Sequence, residues 1–131
     1  MKGIEILKTY PKVANIIREW FSKKMIESMS DDIPEDYRNY MMQRGATDEF
    51  LVNVIDKNPS ALFEIFDSLN VYVGIMVETL PETEKSVFKY YICPSGNCLD
   101  ASPESFLKRK DMEHYAMLAA IDYIDKNISE D

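Results

Sequence analysis

From Pro11 onward the apolar residues Val13, Ile16, Ile17, Trp20, Phe21 and Met25 recur at helical spacing, the pattern of a helix with one buried face. Pro11 suits the first turn of that helix, where an amide has no partner in any case. Ser30-Asp31-Asp32-Ile33-Pro34 breaks the period, because a proline disfavours helix at the residue before it. A short helix is predicted next. Glu35 and Asp36 complement its dipole, Tyr37, Tyr40 and Met41 supply a narrow apolar stripe, and Gly45 is its C-cap. Thr47 then caps a helix carrying Phe50, Leu51, Val54 and Ile55 on one face. Asn58-Pro59 ends that helix and opens another, with Asn58 as cap, Pro59 in the first position, and Leu62, Phe63, Ile65 and Phe66 largely buried.

At Val71 the period changes from helix to strand. Val71–Glu78 and Ser86–Cys93 are rich in β-branched and aromatic residues, and Leu80-Pro81-Glu82-Thr83-Glu84-Lys85 between them carries turn chemistry, which predicts an antiparallel hairpin. Two strands alone are not stable in water, so flanking helices must cover them. Val71, Val73, Ile75 and Val77 form a strongly apolar face, while Tyr72, Gly74, Met76 and Glu78 form a mixed one. If helices cover the first, the second is left for water or a partner. Pro94-Ser95-Gly96-Asn97 is a turn by composition, and Cys98-Leu99 is a candidate third strand. Ser102-Pro103-Glu104 reads as a helix cap with a proline first turn, followed by a helical pattern over 108–127. Met112, Tyr115, Ala116, Ala119 and Tyr123 make one stripe of that helix and Met117, Ile121, Ile124 and Ile128 a second. A helix apolar over so much of its circumference is expected to lie centrally, on the hairpin. The predicted fold is α+β in one domain over residues 1–131: a helical N-terminal half, an antiparallel β-hairpin or three-stranded sheet, and a C-terminal helix packed on the sheet.

Charge narrows the partners. The 131 residues carry a net −8, and residues 30–69 alone hold nine acids against three basic residues. Such a balance repels nucleic acid phosphate and favours a basic protein partner. No run approaches a membrane span, and charges interrupt the apolar patch of Met1–Lys8, so the expectation is a cytoplasmic protein without a membrane partner. Two cysteines are too few for a disulfide framework.

The single histidine, His114, removes most metal and imidazole-based catalytic arrangements. Cys93 and Cys98 flank a turn, and with His114 and Asp100 they are the one candidate zinc set; the plainer reading is two structural cysteines, free or bridged, and a surface histidine. A Cys–His nucleophile lacks an accompanying oxyanion-hole pattern. Asp31-Asp32, Glu35-Asp36 and Asp48-Glu49 are more simply helix caps and first turns than acid–base pairs, and four glycines in all leave no phosphate-cradling loop.

Two stretches carry a resemblance. Asn58-Pro59-Ser60-Ala61-Leu62-Phe63-Glu64-Ile65-Phe66-Asp67 resembles patterns of small uncharacterised proteins from bacterial and phage genomes. Ser105-Phe106-Leu107-Lys108-Arg109-Lys110-Asp111-Met112-Glu113, with Ala116, Ala119, Ala120 and Ile121 beyond, is similar to the hairpin-then-alanine-rich-helix ending of such proteins. The resemblance implies a bacterial or phage accessory protein and attaches no catalytic, cofactor or metal residue to any position. The functional expectation is a non-catalytic protein that meets a basic partner through an acidic surface. The alternatives are a homo-oligomer that buries an open sheet face, and a small metal-binding protein or enzyme using Cys93, Cys98 and His114.

Overall fold

The computed structural model describes residues 1–29, 31–82, 85–102 and 104–128. Ser30, Thr83, Glu84 and Pro103, which figure in the predicted breaks and turns, lie outside the described residues. The fold is α+β, with a helical N-terminal half, a two-stranded antiparallel sheet and a C-terminal helix packed on it. Residue contacts gather into two compact units, Met1–Lys57 and Asn58–Ile128.

The first unit is all helical: α1 (Gly3–Thr9), α2 (Pro11–Glu27), α3 (Glu35–Arg44) and α4 (Asp48–Lys57). Sequence periodicity did not predict α1, whose seven residues are too few for a full amphipathic repeat. Packing holds it. α1 lies against α4 and α2, and Ile6 is fully buried. The Gly3 amide donates to Asp56 Oδ1 at 2.7 Å, satisfying one orphan donor of the first turn. Gly3 also lets the two backbones meet, since a Cβ there would stand 3.1 Å from Val52 Cα. α2 begins with Pro11 at its first position, as predicted, and buries Val13, Ala14 and Ile17; Phe21 meets Trp20 and Phe50 edge-on, at 5.2 and 5.3 Å between ring centroids.

α3 has the predicted bounds but not the predicted stripe. Tyr37 and Tyr40 are exposed and Met41 is half-buried, because helix α3 packs chiefly on α2 and its apolar positions are too few to form a buried face. Gly45 does cap it, with φ +68° and its amide donating to Met41 O at 2.9 Å. Thr47 Oγ1 accepts the Phe50 amide at 3.2 Å, the expected N-cap of α4.

The second unit opens with a 3-10 turn, Pro59–Leu62, that runs into α5 (Phe63–Ser68). Asn58 makes no side-chain cap to the turn; its Oδ1 accepts the Ser60 hydroxyl instead. Asn70, in the left-handed region at φ 60°, which asparagine tolerates, leads into β1 (Val71–Thr79). β1 pairs with β2 (Ser86–Pro94) in one unbroken register from Val71↔Pro94 to Thr79↔Ser86. α6 (Arg109–Asn127) packs mainly on β2 and on the 3-10 turn. Its two predicted stripes merge into one, made of Met112, Ala116, Met117, Ala120, Ile121 and Ile124, all fully buried. Tyr115 is exposed, and Ala119 and Tyr123 are only half-buried.

Among the described residues a regular third strand is not formed. Residues 99–102 and 104–106 instead lie as an irregular strap beside β2, antiparallel to it: Leu99 N donates to Ile92 O at 2.9 Å, Ser102 N to Tyr90 O at 2.9 Å, and Phe106 and Phe88 exchange bonds of 2.8 and 2.7 Å. Ser102, expected to cap a helix, accepts the Tyr90 amide on its hydroxyl and donates to Glu104 O. Segments in this position close a sheet edge as a strand would, without continuing its ladder.

Candidate functional site

The phase of the hairpin ladder follows from Leu80 N, which donates to Lys85 O at 2.8 Å. In an antiparallel pair, residues that aim their backbone groups at the neighbour alternate with residues that aim them away. Tyr72, Gly74, Met76 and Glu78 therefore turn their N–H and C=O groups toward β2, and Val71, Val73, Ile75, Val77 and Thr79 turn theirs to the outer edge. The same alternation on β2 points Phe88, Tyr90 and Ile92 outward, and these are the residues that the strap meets. The two edges of the sheet thus differ. β2 is covered, whereas among the described residues the outward groups of Val73, Ile75 and Val77 on β1 have no backbone partner.

The usual guards of a bare edge are missing from β1. It contains no proline, no lysine and no bulge, and one charged residue, Glu78, in nine. Its apolar face is also incompletely covered. Val71 is buried, but Ile75 is 37% and Val77 56% exposed, and Tyr72 on the mixed face and Leu80 beyond the strand are exposed at 41% and 40%. The mixed face is not simply open either, since Val87 and Cys93 on it are buried and the Tyr91 hydroxyl donates to Met76 Sδ at 3.3 Å. Opposite Ile75 and Val77 stand Tyr90 and Phe88. Tyr90 stacks on Phe106 at 6.4 Å, and Phe106 on Tyr115 of α6 at 5.1 Å, so an aromatic column continues the apolar face onto the helix. Burial, and secondarily the Glu104 carboxylate, raises the Tyr90 phenol above its ordinary pKa.

Cys93 and Cys98 are joined by a disulfide that closes the turn after β2. Sequence reasoning weighed this bridge beside free thiols and zinc. His114, on α6, lies edge-on to Tyr115 at 6.0 Å. The structure does not bring Cys93, Cys98, Asp100 and His114 together as a ligand set: among the described residues, no group of three or more His, Cys, Asp or Glu side chains is placed to hold a metal.

In the first unit, a groove of about 560 Å³ is lined by Asn15, Arg18, Glu19, Lys23, Gln43 and Arg44, among others. Arg18 is already engaged, by the Asp48 carboxylate and Ala46 O. Ser22, the one hydroxyl among the described residues that line the groove, donates to Arg18 O at 2.6 Å and accepts the Ala46 amide at 2.8 Å, which makes it a structural link. No helix is long and apolar enough to cross a membrane among the described residues. Compared with protein-family models, with curated proteins and with solved structures, the chain matches none.

Proposed function

We propose that this chain works by protein–protein association, without catalysis of its own, and that its docking surface is the bare edge of β1 with the exposed apolar side chains beside it. The observation that carries this reading is the contrast between the two edges of one small sheet, β2 strapped and β1 open. An edge that presents unpaired N–H and C=O groups beside Ile75 and Val77 is a template for another strand. An accessory role in the cytoplasm is compatible with it; there the Cys93 and Cys98 pair stands as thiols, and the bridge belongs to an oxidising setting.

The test is Val77→Lys. Position 77 is more than half exposed, so melting should change by no more than about 0.5 kcal/mol, while association, read by sedimentation and by retention of proteins from an extract of the source cell, should be lost. Equal association by variant and wild type removes the edge as the working surface.

A second reading rests on α3. In residues 31–40, Asp31, Asp32, Glu35 and Asp36 outnumber Arg38 and precede exposed Tyr37 and Tyr40, whose rings lie 6.4 Å apart, an acidic and aromatic stretch suited to a basic partner. Binding through α3 weakens steeply with added salt and is indifferent to Val77→Lys.

A further inference from the structure

The outward-pairing positions of β1 are Val71, Val73, Ile75, Val77 and Thr79, all β-branched, and they read nearly the same in both directions. From that self-complementarity we infer that the partner of this edge is a second copy of the chain, whose β1 pairs antiparallel with the first about a twofold axis at Ile75. The inference rests on the docking surface proposed above and names its occupant.

Centring on Ile75 uses all nine residues of the strand. Ile75 then faces Ile75 of the second copy, Val73 faces its Val77, and Val71 its Thr79, each as a hydrogen-bonded pair made by backbone groups that already point outward. Any other centre shortens the overlap. The even positions fit as well. Gly74 lies opposite Met76 of the second copy, so a residue without a side chain faces a long one, and Glu78 lies opposite Tyr72, so the only charge in the strand meets no like charge. A twofold axis normal to the sheet keeps both apolar faces on one side. The result is a four-stranded sheet, β2-β1-β1-β2, in which Ile75, Val77, Phe88 and Tyr90 of each copy join one apolar surface and both outer edges are closed by straps. α6 packs more on β2 than on β1, and α5 packs on β1, whose outward groups at Val73, Ile75 and Val77 have no backbone partner among the described residues.

Charge distinguishes this occupant from a basic protein. Each copy carries −8, so self-pairing is opposed by long-range repulsion and strengthens as salt screens it, whereas a basic strand would be drawn in and weakened by salt. The outward positions themselves offer a basic partner nothing to pair with.

The closing experiment combines sedimentation with cysteine cross-linking of the full chain. Wild type should sediment at twice the monomer mass, more completely at higher salt. Paired Cα atoms about 5.5 Å apart in a hydrogen-bonded antiparallel pair lie within disulfide reach, so Ile75→Cys should give a 75–75 linked dimer under mild oxidation, identified by mass spectrometry of the linked peptides. Val77→Cys, four residues from its own copy in this register, should not link to itself. In the unaltered protein, the amides of Val73, Ile75 and Val77 should exchange more slowly as concentration rises, a readout that needs no variant. A monomeric wild type overturns self-pairing but leaves the docking surface standing if Val77→Lys still abolishes retention from extract; retention unaffected by Val77→Lys overturns both. A wild-type dimer in which Val77→Cys links as readily as Ile75→Cys, or in which those three amides stay unprotected, overturns the pairing proposed here.

Discussion

The hydroxyl of Ser22 accepts the backbone amide of Ala46 at 2.8 Å, so one buried side chain of α2 holds the loop between α3 and α4. Gly45 sits against the same side chain, 3.2 Å from Ser22 Oγ to where its Cβ would be.

Ser22→Ala leaves the Ala46 amide buried without an acceptor and should cost about 1–3 kcal/mol, the penalty of an unpaired buried donor. Gly45→Ala should cost about 1 kcal/mol or more, since φ +68° is unfavourable for a residue with a Cβ and that Cβ crowds Ser22 and Arg18. Urea unfolding of both variants checks the pair. A Ser22→Ala protein as stable as wild type would show that water reaches this loop.

Ala119 and Ala120 are neighbours on α6 with different surroundings, one half-buried and the other fully enclosed. Ala120→Asp should therefore cost several kcal/mol, by burying a charge without a partner, and Ala119→Asp distinctly less. Melting curves of the two single variants, compared side by side, test the single-stripe packing of the helix.

The Cys93–Cys98 bridge closes a loop of only six residues, so the chain-entropy gain is small, about 2 kcal/mol. Replacing both cysteines by serine should lower the melting temperature modestly with the helical content intact. Hydrogen exchange should quicken at Leu99, whose amide is bonded to Ile92 just outside the loop that the bridge closes.

Tyr90 is held in its neutral form by burial and then by Glu104. Its raised folded-state pKa means that the associated stability is fully present below the unfolded value of about 10 and is lost as pH rises from there through the folded value. Alkaline titration followed by phenolate absorbance should show a late-ionising component that Tyr90→Phe removes. In Glu104→Gln it should ionise earlier but still above its ordinary value, because burial is the larger cause.

Much of the fold could be read along the chain. The bounds of α2, α3 and α4 and both strands of the hairpin follow from periodicity, a proline at a helix start, Gly45 and Thr47. What could not be read depends on partners distant in sequence. α1 is made by Asp56 and Val52, more than forty residues on, acting on Gly3. Ser102 carries the local chemistry of a helix cap but is drawn to the Tyr90 backbone. The candidate site shows the same division. Alternation identifies which side chains of β1 share a face, yet which edge of the sheet is bare depends on where Leu99, Ser102 and Phe106 lie, and nothing in the pattern of Val71–Thr79 records that.

The division of contacts at Lys57 and Asn58 sets an order of events during synthesis. The helices of the first unit pack on one another, so most of their contacts can form before α6 has emerged from the ribosome. The second unit is closed by its last element, since Met112 to Ile124 supply the stripe that packs on the sheet and the 3-10 turn. Until those residues emerge, the hairpin waits with its apolar face uncovered as well as its edge. Once Pro94 has emerged and until Ile124 follows, the sheet is open to chaperones and to neighbouring nascent copies on the same messenger.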